Sequence, residues 1–186
     1  MSGLTPATGE ARQRILHRGC GYHGFKSFWQ AGFEGADHLN GSGIPLSMND
    51  LTEHNARAAD DYQGLAEFGI RTIRESVGWR LAERNENFDF ACVEGRARAA
   101  HELGIQVIWT LCHYGMPRDV DPFAPDFIER FSRYCRAAAR FLCLYTDGPG
   151  LYNPINEISF FSWALTETGL MHPYRGDLQH LSLIHI

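Results

Sequence analysis

Long apolar runs are missing from this sequence. No stretch approaches the ~20 consecutive apolar residues that cross a bilayer, so no membrane partner is expected. The opening residues 1–14 are polar and lack the apolar segment of a secretory signal. Charge of one sign is missing too. The 17 Lys and Arg against 22 Asp and Glu leave a net charge of -5, and the basic residues are scattered rather than striped. That excludes the electrostatic footprint of a nucleic-acid binder. Cysteine is sparse: Cys20, Cys92, Cys112, Cys135 and Cys143 are odd in number and form no Cys-x-x-Cys pair. Cys112, Cys135 and Cys143 sit in apolar stretches, where a thiol behaves as a small hydrophobe. A reduced, cytoplasmic setting fits this usage better than a disulfide framework. The nine histidines include no His-x-x-x-His and join no Cys/His cluster with ligand spacing, so no metal is expected. No Gly-x-Gly-x-x-Gly follows a predicted strand, which weakens a dinucleotide-binding reading. No cofactor is called for.

What is present is an ordinary globular composition, 44% hydrophobic and 21% charged, at the length of one domain. Aromatics reach 12%, with Trp29, Trp79, Trp109 and Trp163 among them. Core filling accounts for most such rings, and stacking on sugar faces is the other use. The last six residues, Leu181-Ser182-Leu183-Ile184-His185-Ile186, do not continue the preceding pattern. They are also what CTGTCTCTTATACACATC encodes, the mosaic-end adapter of transposon-based libraries. Native sequence is therefore expected over residues 1–180, with 181–186 a foreign tail; a chance apolar tail is the alternative.

An internal echo reveals the architecture. Glu67-Phe68-Gly69-Ile70-Arg71-Thr72-Ile73 recurs 35 residues later as Glu102-Leu103-Gly104-Ile105-Gln106-Val107-Ile108, a spacing of one helix, one strand and two loops. Each copy follows an amphipathic stretch: Ala58, Tyr62, Leu65 and Ala66 in the first, Val93, Ala97, Ala100 and Leu103 in the second. Asp50-Leu51-Thr52-Glu53 resembles a capping box for the first helix. Gly69 and Gly104 stand where a helix end wants a left-handed residue. Apolar, β-branched runs follow at 70–76 and 105–112, the second nearly continuous, as for a parallel strand covered on both faces. A third unit places a helix over 126–144, with Phe127, Phe131, Tyr134, Ala138 and Phe141 on one side, and a short strand over 151–156. Residues 27–33 read as a first strand, 35–49 as a loop, and Phe160 onward as a loop leading to a fourth helix. Arg130, Arg133, Arg136 and Arg140 recur at helical spacing and read as a solvated face.

The order βαβαβαβ gives an α/β fold, either an open doubly wound sheet or part of a (β/α)8 TIM barrel. The barrel leads. A full barrel needs about 250 residues, so this chain is expected to hold about the first four βα units, an incomplete barrel. Reactive groups in such barrels gather at the carboxyl ends of the strands. Those ends carry Arg74-Glu75-Ser76 with Trp79 after the second strand, His113-Tyr114 after the third and Asn156-Glu157 after the fourth.

Here the residues carry a resemblance. Pro154-Ile155-Asn156-Glu157-Ile158-Ser159 resembles the fourth-strand Asn-Glu signature of clan A glycoside hydrolases, nearest to the family 1 β-glucosidase type. Cys112-His113-Tyr114-Gly115-Met116-Pro117 resembles its third-strand segment, Arg74 with Ser76 and Trp79 its second, and Glu34-Gly35-Ala36 the end of its first. Residues 169–173 resemble the loop after strand four. The resemblance runs over about residues 27–175. It implies a retaining glycosidase of β-linked sugars, which needs two carboxyls about 5–5.5 Å apart. Glu157 is implied as general acid/base, partly desolvated or near a second carboxylate. Asn156 is implied as a donor to the sugar 2-hydroxyl and His113 as a ligand of a sugar hydroxyl. Arg74 would orient the nucleophile, which comes from a seventh strand absent here, so this chain alone is expected to be inactive. Gln30 and Tyr114 complete the substrate-binding set, and Glu34, Asp37 and His38 are candidates for lining the same mouth.

The sequence also departs from the family. Gly32-Phe33-Glu34-Gly35 stands for Gln-x-Glu-Gly with Gln30 two positions early, His113-Tyr114 for His-Trp, and Asn156-Glu157-Ile158 for Asn-Glu-Pro. Plainer readings stand beside each role: a strand-end ion pair for Glu157, a wall pair with Glu75 or Glu102 for Arg74, a satisfied buried side chain for His113, a turn cap for Asn156. Tyr114 and Trp163 serve equally as sugar platforms or loop packing. The alternatives at the level of function are an endo-acting cellulase- or mannanase-like clan A enzyme and a non-catalytic sugar-binding barrel or inactive fragment.

Overall fold

The computed structural model describes residues 24–174. The polar opening 1–14, Cys20 and the tail 181–186 lie outside the described residues. Strand β1 (Gln30–Gly32) opens the main sheet. Residues 35–49 are more than a loop. They fold back as an antiparallel hairpin of β2 (Asp37–Leu39) and β3 (Pro45–Ser47), with His38 opposite Leu46. Asn40 closes the hairpin, its Oδ1 accepting from the Ser42 and Ile44 N–H groups at 3.0 Å each. A composition rich in Gly and Asn marks a turn but cannot say that strands flank it.

A short helix α1 (Met48–Leu51) follows, capped by Ser47, whose Oγ accepts from Asp50 N at 3.4 Å. Helix α2 (His54–Glu67) starts only after Glu53, whose φ is 60°. The capping box expected at 50–53 therefore does not form; the Asp50 carboxylate instead accepts from Asn55 Nδ2 at 2.5 Å. Strand β4 (Thr72–Ser76) comes next, then α3 (Trp79–Ala82), a small hairpin of β5 (Glu83–Arg84) and β6 (Asn87–Phe88), and α4 (Ala91–Glu102). Strand β7 (Gln106–Cys112), helix α5 (Phe127–Leu142), a 3-10 turn (Cys143–Tyr145) and strand β8 (Leu151–Ile155) complete the sheet. Helix α6 (Ile158–Thr166) begins at once after Glu157, with no intervening loop of the kind expected beyond Phe160. Gly69 (φ 77°) and Gly104 (φ 65°) end α2 and α4 in the left-handed conformation that a Cβ disfavours, so the echo does mark two helix ends. No helix among the described residues is long and apolar enough to cross a membrane.

The four-stranded sheet has the order β1-β4-β7-β8, parallel throughout, so spatial order follows chain order. A doubly wound sheet would reverse that order at a switch point; this one does not. Alternation along the strands then divides the residues between two faces. On β7, Trp109 and Leu111 join Val93 and Ala97 of α4 and Tyr134, Ala138 and Leu142 of α5 in one core. Tyr134 also donates to the Leu111 carbonyl at 2.8 Å, which fixes α5 on the strand. On β4, Ile73 packs with Ala58 and Tyr62 of α2 and Ala99 and Ala100 of α4 in a second core.

Two polar features belong to the wall rather than the rim. Trp79, expected beyond the end of the second strand as part of the mouth, is only 1% exposed. It stacks on Tyr134 with centroids 5.2 Å apart and donates to Glu83 Oε2 at 2.6 Å. Arg130 is not on a solvated face: it lies between Glu83 (2.8 Å) and Asp119 (2.9 Å). The larger wall cluster surrounds Glu75, which is fully buried. Its Oε1 takes His54 Nε2 and the Tyr62 hydroxyl, each at 2.7 Å, while Oε2 takes Arg96 Nη1. His54 Nδ1 is in turn 2.7 Å from Asp61. Burial opposes ionisation of Glu75, but Arg96 and the His54 and Tyr62 donors outweigh it and hold the carboxyl below its ordinary range. The network ties α2, β4 and α4 together.

Removing Glu75 leaves the Arg96 guanidinium buried without its counter-charge. Glu75→Ala is expected to cost about 3–5 kcal/mol in chemical unfolding, with the midpoint falling accordingly. Glu67→Ala, at the exposed end of α2, is expected to change stability by no more than about 0.5 kcal/mol. Equal effects of the two would show that the wall network does not stabilise the fold.

Candidate active site

Alternation on β4 sends Arg74 and Ser76 to the face opposite Ile73 and Glu75. Arg74 is then held on three sides. Its Nε donates to Thr110 Oγ1 at 3.1 Å, its Nη1 to Glu34 Oε1 at 3.2 Å, and its Nη2 to Asn156 Oδ1. The wall pair with Glu75 or Glu102 is thus not what Arg74 makes. Asn156 follows β8 directly, and its N–H bonds the Cys112 carbonyl at 2.9 Å, extending the ladder to the carboxyl end of the sheet. His113 stands one residue past β7, only 5% exposed, and Asn156 is 3% exposed.

The proton inventory of this cluster is determinate. Because Arg74 can only donate, the Asn156 atom it meets is the carbonyl oxygen, which fixes the amide orientation. Asn156 Nδ2 must then donate, and it lies 2.9 Å from both His113 Nε2 and the Tyr114 hydroxyl oxygen. His113 Nε2 is accordingly the acceptor nitrogen, and its Nδ1–H donates to Ser76 Oγ at 3.0 Å. The phenol oxygen, having accepted from Asn156, gives its own hydrogen to Glu157 Oε2. One run of hydrogen bonds thus joins Arg74, Asn156, Tyr114 and Glu157, with His113 and Ser76 as a branch.

The electrostatics agree with these assignments. Burial, and then the nearby Arg74 charge, push the His113 imidazole down to about 4, so it is neutral at ordinary pH. Burial and the adjoining Glu157 carboxylate raise the Tyr114 phenol, which therefore stays protonated; the Asn156 donor works weakly the other way. Glu157 itself is exposed, and among the described residues nothing buries it, so the desolvation looked for around a proton donor is not supplied. The backbone is unusual here: Glu34 (φ 43°), Tyr114 (φ 72°) and Glu157 (φ 42°) are all left-handed, a conformation that costs a non-glycine residue of order 1–3 kcal/mol.

Other residues named from the sequence are distributed unevenly. Glu34 reaches the cluster through Arg74. Asp37 lies behind it, 3% exposed, with its backbone N–H on the His113 carbonyl at 3.2 Å and its carboxylate turned to Arg80. Burial raises Asp37 to about 6 against the pull of Arg80. The His38 ring is 6.4 Å from that of Tyr114. Trp163 is on α6 beside Phe160, at 5.8 Å, and is partly exposed. Gln30 is not brought to this rim: it pairs with Thr72 at the opposite end of β4, two residues behind the level of Arg74. Thr110, the anchor of the Arg74 Nε, was not legible as a site residue, although the two-residue period counted back from Cys112 places it on the same face. Among the described residues no group of three or more His, Cys, Asp or Glu could hold a metal ion.

Neither a protein-family model nor a curated protein sequence matches the chain. Solved structures do. A β-glucosidase from Thermotoga maritima, in complex with castanospermine, superposes with a TM-score of 0.66 at 15% identity, over 87% of this chain and 42% of its own. The GH1 β-glucosidase from Exiguobacterium antarcticum B7 gives 0.61 at 21% identity, over 70% of this chain and 31% of its own. A rice β-glucosidase mutant in a covalent complex with Glc gives 0.55 at 19% identity, over 66% of this chain and 27% of its own. The chain shares with these glycosidases an α/β fold of parallel strands and helices, in line with the resemblance read from the sequence. The chain spans well under half the length of each.

The neutral His113 has a consequence for pH. Its folded value of about 4 lies below the unfolded value of 6.5, so between the two the unfolded chain binds a proton that the folded chain refuses. The stability that His113 contributes is expected to fall as pH drops from 6.5 towards 4, while Asp37, raised to about 6, works in the opposite direction over part of that window because its folded form takes up a proton first. His38 and His172, also held low by burial, contribute to the same slope. Denaturant midpoints across that window should fall less steeply for His113→Asn than for the wild type, and identical slopes would rule out a neutral buried His113.

Proposed function

We propose that this chain is the N-terminal part of a (β/α)8-barrel retaining glycoside hydrolase that cleaves β-linked, glucoside-like substrates, with Glu157 as general acid/base. The observation that carries the reading is the hydrogen-bonded run Arg74–Asn156–Tyr114–Glu157, assembled from the carboxyl ends of three strands. The chain-ordered parallel sheet and the likeness to β-glucosidases, one of them bound to castanospermine and one joined to Glc, support it.

Retention divides the work between two carboxyls. Glu157 protonates the leaving glycosidic oxygen and later takes a proton from the attacking water. The attacking carboxylate is to come from a part of the barrel outside this sequence, and Arg74, whose guanidinium already accommodates Glu34, would orient it. Asn156 has both amide hydrogens engaged, so a sugar 2-hydroxyl reaches it by donating to Oδ1. His113 has both ring nitrogens engaged and acts on substrate chiefly by holding Asn156. The rival is a non-catalytic sugar-binding barrel, in which the same rim holds a sugar without turnover.

The test is turnover of aryl β-glucosides by the complete barrel that contains this segment. Glu157→Gln is expected to lower kcat/KM by about 10²–10⁴-fold, the usual worth of a general acid/base. Undiminished turnover removes Glu157 from the mechanism, and binding without turnover in the unmutated protein selects the rival.

A further inference from the structure

We propose that Tyr114 is a positioning residue for Glu157: its hydroxyl, aligned by Asn156, donates to Oε2 and holds the carboxyl group in one orientation. The proposal rests on the reading of Glu157 as acid/base and assigns Tyr114 a role other than that of a sugar platform.

The direction of the bond follows from the cluster. Arg74 fixes the Asn156 amide, Asn156 Nδ2 donates to the phenol oxygen at 2.9 Å, and the one hydrogen the phenol has left goes to Glu157. A hydroxyl that accepts one hydrogen bond is a better donor in the next, so the amide strengthens the contact to the carboxylate. The ring is packed among other rings. His113 lies 4.7 Å from it, Phe160 5.3 Å and Phe161 5.9 Å, centroid to centroid, and His38 closes the remaining side at 6.4 Å. The main chain is locked as well. Tyr114 is left-handed and bridges Asp37, and the next residue must be glycine because a Cβ at Gly115 would collide with the Asp37 carbonyl. The fixed main chain and the neighbouring rings together restrain where the hydroxyl points.

The groups facing the pair are Asn156, the neutral His113 ring, the His38 ring, Arg74 through Asn156, and the Glu34 carboxylate on Arg74. None of them donates to Glu157 as Tyr114 does. A hydrogen bond to the charged form favours that form, so removing it raises the pH at which the carboxylate takes its proton.

The measurement is the titration midpoint of the Glu157 carboxyl carbon, followed by ¹³C NMR in glutamate-labelled protein and assigned with Glu157→Gln. Tyr114→Phe keeps the ring and deletes the donor, and the midpoint is expected to rise by roughly one pH unit. A 3-fluorotyrosine placed at 114 alone is a more acidic donor, and the midpoint is expected to fall. A midpoint that stays put or moves the same way in both proteins overturns the proposal. If Tyr114→Phe fails to fold, the fluorinated protein decides by itself. Turnover is read separately, on the complete barrel that contains this segment: an inactive barrel whose midpoint moves as stated loses the glycosidase reading and keeps the Tyr114 contact, while an active one whose midpoint is unmoved does the reverse.

Discussion

The side-chain amide of Asn156 has its carbonyl oxygen on Arg74 and its two hydrogens on His113 and Tyr114, and the chemistry of the rim follows from that single group. Arg74 cannot accept, so the amide cannot flip; with the amide fixed, the imidazole tautomer and the direction of the phenol bond are fixed in turn. Four side chains from three strands thereby share one proton arrangement. In a partly buried cluster such a run is cooperative, each bond polarising the next, and breaking one member disturbs its neighbours.

The amide is where it is because the sheet ladder continues past β8, through the bond from Asn156 N to the Cys112 carbonyl. Beyond that point the chain turns left-handed at Glu157 and enters α6, just as it turns left-handed at Tyr114 beyond β7 and at Glu34 beyond β1. Strained conformations at three of the sheet's four strand ends are tolerated only on a rigid support. The support lies on the other face, where Glu75 is enclosed by Arg96, His54 and Tyr62 and where Trp79 and Tyr134 stack. The residue between Arg74 and Ser76 thus holds the wall while its two neighbours form the rim.

Much of the fold was legible, for local reasons. Gly69 and Gly104 are left-handed, the stripes Ala58–Tyr62 and Val93–Ala97–Ala100 are buried, and the strands begin where β-branched residues follow. These properties belong to a few consecutive residues and to the 3.6- and 2-residue periods. The hairpin inside 35–49 and the burial of Trp79 and Arg130 were not legible. Each depends on a partner distant in the chain: Leu46 across from His38, Tyr134 against Trp79, Glu83 beside Arg130.

The same division holds in the site. Composition, periodicity and motif order determined, from the sequence by itself, an α/β chain with Arg74, His113, Asn156 and Glu157 at successive strand ends, because strand ends and residue types are read along the chain. Only the tertiary structure decided that Gln30 lies at the far end of the sheet, that Glu34 rather than Glu75 meets Arg74, and that His113 faces Asn156. Register between strands sets which residues stand level, and the hydrogen-bond donors and acceptors brought level then choose their partners. Neither is encoded in any one segment of the chain.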